Sequence, residues 1–545
     1  MPNYLIPFLF LFASSAQTPQ NPVVNPAAPC AVQGVVLKAD TSEPLRKAIV
    51  EIWQEGGPGP HGDAVTDSMG RFELKNLNPG QYRLSAQRNG YIRQEYGQSK
   101  PEGPGAYLTL SPGQKVSDIS ISLIPAAVIA GHVYDEDGEP VQGAQVSSLR
   151  YVYGNGQREL AHAGAARTND LGEFRIYGLA PGQYILEADK QPRLLTTLKA
   201  EPGYVPIYYP GVSDAERSTP IDVRAGEEFS SADITLQTVH TVTLRGHVIG
   251  GISGGPALHA QVYLVSQGTA TSVSHVASQT LVSDPQGLFE LRNVAPGAYF
   301  IYAFLYEAGR GEFARQPMEV AEGDIDGITL AVSPGVNIKG RLRIEGSLDS
   351  RTGSFQISLS PKNTRLFFGG VPSDNVKSDG SFLLKNLFDD EYEINISGLP
   401  ANYFVKFARL DGIDALSAGV TVDTRQTPGL LDILVSPNGA RIDGVVAKDH
   451  QPFPGASVTL VPDPPHRGIK RLYQSTGTDQ FGHYILQGIP PGDYKLFAWE
   501  SITPGAYKSA DFLLPFENRG ESVRIYEGTS ISISLDVIPA KESAP

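Results

Sequence analysis

One pattern occurs five times in the chain: a turn glycine, an aromatic residue two positions on, and a tyrosine twelve positions after the glycine. The glycines are Gly70, Gly172, Gly287, Gly380 and Gly482, and the tyrosines are Tyr82, Tyr184, Tyr299, Tyr392 and Tyr494. Successive tyrosines lie 102, 115, 93 and 102 residues apart, each about the length of one small domain. A chain of 545 residues exceeds what one hydrophobic core usually supports, so a tandem array follows. An element with the same role in every copy encodes a folding unit, and function is then expected in what differs between copies.

Each copy is built from short alternating segments. In the first, Asp67-Ser68-Met69-Gly70 is a turn with glycine at the position that needs positive φ, expected to close a tight hairpin with the aspartate bonding the turn backbone. Phe72 and Leu74 then face one side of a strand, and the pair recurs as Phe174/Ile176, Phe289/Leu291, Phe382/Leu384 and Tyr484/Leu486. A Pro-Gly step follows, and Tyr82, Leu84 and Ala86 face one side of the next strand. Leu-x-Pro-Gly-x-Tyr predicts a tyrosine corner, a buried ring whose hydroxyl bonds backbone a few residues upstream. Upstream lies Gly-x-Val, then Pro, Ala and Val at fixed offsets, as in Pro44/Ala48/Val50, Pro256/Ala260/Val262 and Pro452/Ala456/Val458. Each copy closes on an alternating strand such as Ile119–Leu123 or Ile531–Leu535. The fourth copy departs: Asp389-Asp390 replaces Pro-Gly, and no Pro-Ala-Val segment is recognisable between Gly340 and Ser378.

Together these motifs resemble the carboxypeptidase regulatory-like domain of bacterial type, a transthyretin-like sandwich related to Cna B-type repeats and carbohydrate-binding-like folds. The expected fold is all-β, a tandem array of five seven-stranded antiparallel Greek-key β-sandwiches. The expected division is a signal peptide at 1–16, a Pro-rich linker at 17–30, and repeats at 31–125, 126–238, 239–334, 335–437 (divergent) and 438–538, with a tail at 539–545. Relatives of this kind serve as accessory modules, so the resemblance implies fold more than activity, with polysaccharide as the implied ligand class. Isopeptide cross-links, known in some Cna B-type relatives, are not expected, because no lysine recurs at one core position.

The composition, with 58 Gly, 42 Pro and 41% hydrophobic residues, suits turn-rich cores rather than disorder. A formal charge of −14 without a basic cluster argues against nucleic acid as a partner. The apolar run Leu5–Phe12 followed by Ala13-Ser14-Ser15-Ala16 reads as a secretory signal cleaved near Ala16, too short to span a membrane. The expected location is secreted, periplasmic or cell-surface, with no transmembrane segment after cleavage. Cys30 is the only cysteine, so no intrachain disulfide forms, and it is expected as a free thiol at a flexible domain edge.

No catalytic constellation emerges, and neither a metal nor a cofactor is expected. Neither His-x-x-Glu nor His-Glu-x-x-His occurs, and one cysteine excludes a cysteine-rich zinc site. Gly251-Ile252-Ser253-Gly254-Gly255 has the spelling of a nucleophile elbow but joins two predicted strands rather than a strand and a helix. Gly57–Gly62 matches a dinucleotide fingerprint only in spelling, since its prolines remove amide donors. Asp135-Glu136-Asp137-Gly138 lacks the further ligands of a calcium loop and reads as an acidic turn. His132 and His247 hold matching, outward-facing strand positions. Tyr151, Tyr153, Tyr208 and Tyr209, in segments of the second copy that look like loops, are the candidate ligand-stacking aromatics. The expected function is an exported non-enzymatic spacer and interaction array, with polysaccharide or a cell-surface protein as partner. The alternative is a secreted hydrolase or a peptidase-associated protein with its site in loops of the second or fourth copy, and a purely mechanical surface role is the third reading.

Overall fold

The computed structural model describes residues 28–54, 60–98, 100–101, 103–154, 156–190, 203–267, 276–307, 309–346, 355–362 and 370–540. The expected signal peptide and the Gly57–Gly59 spelling lie outside them. The described elements are almost all strands, and the one α-helix, Ala510–Leu513, is four residues long. Among the described residues no helix is long and apolar enough to cross a membrane.

In the first repeat, strand Cys30–Lys38 pairs with Arg71–Leu77 in one sheet, while Ile49–Gln54 pairs with Pro60–Val65 and Gly80–Gln87 in the other. Alternation sends Val32, Val36, Phe72, Leu74, Tyr82, Leu84 and Ile121 into the space between the sheets, which is the core. Four further clusters of buried side chains run from Ala127 to Leu236, Val242 to Val332, Ile338 to Val435 and Ala440 to Val537. The fold is an all-β array of sandwiches.

The sheets are mixed, which corrects the antiparallel expectation. The first strand of each repeat pairs in parallel with a strand near its end: Cys30–Lys38 with Lys115–Pro125, Ala127–Tyr134 with Ile234–Thr235, Val242–Ile249 with Ile325–Ala331, Val336–Ile344 with Leu430–Ser436, and Ala440–Lys448 with Ser530–Ser532. Strands joined by a short turn must run antiparallel, but these two are separated by a whole repeat, so the chain can re-enter from the same end.

This parallel ladder explains the Gly-x-Val motif. Gly34, Gly131, Gly246, Gly340 and Gly444 stand opposite Phe72, Phe174, Phe289, Phe382 and Tyr484 in register. At Gly34 a Cβ would fall on the Ile119 carbonyl of the last strand and 2.8 Å from the Phe72 ring. Only a residue without a side chain lets the three strands close. Where tyrosine replaces phenylalanine, the added Tyr484 hydroxyl finds the Ile533 carbonyl at 2.7 Å.

The turn glycines Gly70, Gly172, Gly287, Gly380 and Gly482 have φ between +69° and +82°. In the first copy Asp67 Oδ1 accepts from the amides of Met69 and Arg71, both at 2.8 Å. The turn is not a hairpin, however. Pro60–Val65 and Arg71–Leu77 belong to opposite sheets, so the turn arches across the core instead of pairing its neighbours.

All five repeated tyrosines are buried and donate to the carbonyl four residues upstream: Tyr82 to Asn78 at 2.8 Å, Tyr184 to Ala180 at 2.6 Å, Tyr299 to Ala295 at 2.9 Å, Tyr392 to Phe388 at 3.0 Å and Tyr494 to Pro490 at 3.1 Å. In the fourth copy, where proline is missing, the Phe388 amide also donates back to the Tyr392 hydroxyl at 3.1 Å. Burial pushes the phenols of Tyr299, Tyr392 and Tyr494 up to about 12. The folded value lies above the ordinary one of about 10, so the folded state holds the neutral form. The stabilisation is therefore whole below about pH 10 and is lost as pH rises towards 12. Tyr494→Phe is expected to cost about 1 kcal/mol at neutral pH, the worth of one hydrogen bond. It should also flatten the alkaline fall of the fifth repeat's melting temperature; an unchanged pH profile in calorimetry would show that Tyr494 does not set it.

Cys30 is a free thiol, as expected, but not at a flexible edge: it opens the first strand, is buried, and its Sγ lies 3.1 Å from the Ser111 carbonyl. The first half of the fourth repeat, unreadable in sequence, supplies strands Val336–Ile344 and Gln356–Pro361 to opposite sheets. The repeats also touch one another. Phe388 packs on Phe313 with ring centroids 5.0 Å apart, Lys406 bridges Glu345 and Glu527, and Tyr153 meets Phe512 edge-on at 5.9 Å.

Candidate functional site: the outer face of the third repeat

The strand that starts at each tyrosine corner sends alternate residues to the core and to the outer face of its sheet. The outward positions differ between copies: Arg83/Ser85, Ile185/Glu187, Phe300/Tyr302/Phe304/Tyr306, Glu393/Asn395 and Lys495/Phe497/Trp499. The third repeat alone places four aromatic rings in line. Its strand, Gly297–Glu307, is apolar on both faces, with Tyr299, Ile301, Ala303 and Leu305 in the core.

The neighbouring strand Arg310–Val320 sets Phe313 opposite Phe304 and Arg315 opposite Tyr302. Centroids are 6.2 Å apart for Phe300 and Tyr302, 5.9 Å for Tyr302 and Phe313, and 6.4 Å for Phe304 and Tyr306. The Arg315 guanidinium lies 4.2 Å over the Phe300 ring, a cation–π contact. Tyr306 is 61% exposed and Phe300 and Phe304 are half-buried, whereas Tyr302, at 1%, is fully buried within the row. Beside these rings is a groove of about 610 Å³, walled by Phe300, Phe313, Arg315 and Pro317 on one side and by Phe388, Asp389 and Thr424 of the fourth repeat on the other. Asp389 Oδ1 accepts from the Thr424 amide at 2.6 Å, which fixes that rim. The altered turn of the fourth copy thus becomes part of the groove.

Aromatic faces with a polar rim suit a ligand that has both C–H faces and hydroxyl edges. Among the described lining residues Asp389 is the one carboxylate, whereas glycoside hydrolysis generally uses two. Among the described residues no group of three or more His, Cys, Asp or Glu is placed to hold a metal ion.

The four candidate tyrosines of the second repeat lie elsewhere and do not form one surface. Tyr151 and Tyr153 are not on a loop but on strand Gln145–Gly154, which pairs with Gln157–Arg167 as a long arm. Tyr151 is 39% exposed with the Arg158 guanidinium 3.8 Å from its centroid. Tyr153 packs into an aromatic cluster of the fifth repeat. Tyr208 closes strand Ile207–Tyr208 and covers the small apolar cluster of Leu149, Leu160, Ile185 and Ala215. Burial raises its phenol well above the ordinary value, and the neighbouring Glu187 carboxylate adds to the shift. Tyr209 packs against the second core and precedes the cis peptide to Pro210.

The same face of the second repeat brings His162 Nε2 within 3.3 Å of Ser147 Oγ, with Glu187 beside Ser147 in register. Ser147 is only 8% exposed. Gly251–Gly255 is a turn between strands in which Gly251 donates its amide to Glu312 at 2.7 Å and Ser253 Oγ accepts from Gly255 at 3.3 Å. Asp135 Oδ1 is taken up by the amides of Asp137 and Glu139, at 3.0 and 2.9 Å. His132 pairs with Asp233 at 3.1 Å, and His247 lies 3.4 Å from the Thr329 hydroxyl.

Residues 31–123 match the family profile of the carboxypeptidase regulatory-like domain. The match covers the first repeat. The later repeats share its glycine–aromatic register and its tyrosine-to-carbonyl bond, so the array is built in tandem on one plan. No curated protein matches the chain in sequence. Among solved structures, the Bacillus anthracis TIE protein is 14% identical over 56% of this chain and 51% of its own, with a TM-score of 0.17. The chain thus spans about half the length of that protein. A streptococcal ancillary pilin is 10% identical over 56% of this chain and 99% of its own, with a TM-score of 0.21. BcpA, the major pilin subunit of Bacillus cereus, is 11% identical over 56% and 99%, with a TM-score of 0.15.

Proposed function

We propose that the protein is an exported, non-enzymatic array of sandwiches that holds polysaccharide against the aromatic outer face of its third repeat. The observation that carries this reading is the row of partly open rings Phe300, Phe304 and Tyr306, packed around the buried Tyr302, beside a groove whose described lining has one cation, Arg315, and one carboxylate, Asp389. Export is supported by the apolar run Leu5–Phe12 and the small residues that follow. The other repeats then act as spacers that carry and orient the binding unit, and a cell-surface location follows from that role.

The test is retention of the full chain on insoluble neutral polysaccharide, with cellulose, chitin and peptidoglycan as probes. Phe300→Ala with Tyr306→Ala should weaken retention at least about tenfold, as expected for two stacking anchors. Equal retention of the double variant, or no retention of the wild-type chain on any probe, would falsify the reading.

A further inference from the structure

Besides touching the fourth repeat, the fifth docks on two repeats remote from it in sequence. Its joint with the first joins residues 371 positions apart: Gln480 Oε1 accepts from the Thr109 amide at 3.0 Å and Gln480 Nε2 donates to the Thr109 carbonyl at 2.9 Å. Tyr107 donates its amide to the Thr478 carbonyl at 3.2 Å, and its carbonyl accepts from the Gln480 amide at 3.1 Å. The Tyr107 side chain is fixed from within the first repeat by Arg83, which donates Nη2 to the phenol at 2.8 Å and Nη1 to Glu95 at 2.9 Å. The joint with the second repeat is the contact of Tyr153 with Phe512, beside which a Cβ at Gly505 would fall on the Tyr153 carbonyl.

One glycine is explained by the first joint and by nothing nearer. The position before the recurrent alanine has positive φ in four copies: 58° at Lys47, 76° at Gly143, 67° at His259 and 75° at Gly455. Lysine and histidine hold it in the first and third copies, so the turn itself does not demand glycine. A Cβ at Gly143 would meet nothing within 4 Å, whereas at Gly455 it would fall on the Gly97 carbonyl of the first repeat. The absence of a side chain at 455 is what lets the two repeats close. The joints also differ in kind from the cores. None of the five core clusters draws on two repeats, so each core is complete without its neighbours. Hydrogen bonds and a few rings between finished surfaces open at lower cost than a packed core. We infer that the array is a clasp: the fifth repeat closes it by docking on the first and second, and a pull applied through the first and fifth repeats parts these joints while every sandwich stays folded. The clasp does not rest on the polysaccharide reading, whose groove shares no residue with either joint.

The experiment is small-angle X-ray scattering of the full chain, followed by stretching of single molecules held at their two ends. Closed, the chain should have a radius of gyration below about 30 Å; five repeats in line would give about 50 Å. Gly455→Lys with Tyr153→Ala should raise the radius by at least about 10 Å with the circular dichroism of the wild type. Gly143→Lys, the same substitution at the same φ but facing no other repeat, should leave the radius unchanged. Where Gly455→Lys fails to fold, Gln480→Ala with Tyr153→Ala loosens the same two joints and is read the same way. On stretching, the wild type should lengthen once, reversibly, before its first unfolding step, and the open variant should lack that lengthening. A wild-type radius near 50 Å, a folded open variant as compact as the wild type, an equal expansion by Gly143→Lys, or a first lengthening that is itself an unfolding step would each overturn the inference.

Discussion

Gly34→Ala is expected to destabilise the first repeat by about 3 kcal/mol, the upper end of what one inserted methyl group costs in a packed core. The added Cβ would meet the Ile119 carbonyl and Cβ together with the Phe72 ring, and the first of these is backbone in a parallel ladder that cannot yield by a rotamer change. For a unit of this size that loss lowers its melting temperature by about 12 °C or more. Scanning calorimetry should show one transition displaced and the rest in place, because the cores are separate. Gln33→Ala, one residue away and exposed, is the control and should change stability by about 0.5 kcal/mol at most. A displacement of only a few degrees for Gly34→Ala would mean that the first and last strands can separate without loss.

Trp499→Ala has the next largest expected effect. Trp499 is fully buried on the outer face of the fifth repeat, stacks on Phe497 at 5.6 Å, meets Phe516 edge-on at 5.1 Å, and donates Nε1 to Thr459 Oγ1 at 2.9 Å. Truncation leaves a cavity and an unpaired hydroxyl, for a loss of about 4 kcal/mol. The segment Ala506–Arg519 rests on this ring and in turn holds Tyr153 of the second repeat through Phe512. The variant should therefore lower the fifth repeat's transition by about 16 °C and open residues 503–519 to limited proteolysis. A protected segment with a displacement under about 4 °C would place its anchorage elsewhere, for instance at Phe516.

The tyrosine corners and the turn glycines were legible because their partners are local. Each hydroxyl reaches a carbonyl four residues upstream, and each turn is closed within five residues. The parallel ladder was not legible: nothing in Ile119-Ser120-Ile121 says that its neighbour is Gly34 rather than a strand nearer in sequence. The aromatic line of the third repeat had a signal that could have found it. Tyr299–Tyr306 is apolar at every position, whereas a half-buried strand alternates, so a second face had to be covered or used. The tyrosines of the second repeat also break the repeated pattern, yet Tyr153 and Tyr208 serve packing.

The residue order alone determined the unit: a glycine beneath an aromatic ring, an arch with positive φ, and a tyrosine tied to its own turn, repeated five times by contacts inside one repeat. Tertiary structure decided which outer faces are covered. The second repeat is covered by Tyr208 and Ala215 and the fifth by Ala506–Phe516, while the third carries its rings beside a groove shared with the fourth. It also decided that Gln480 returns to Thr109. The physical reason is that an outer face is buried by whatever segment packs on it, and such segments lie outside the repeat's period, where spacing carries no information.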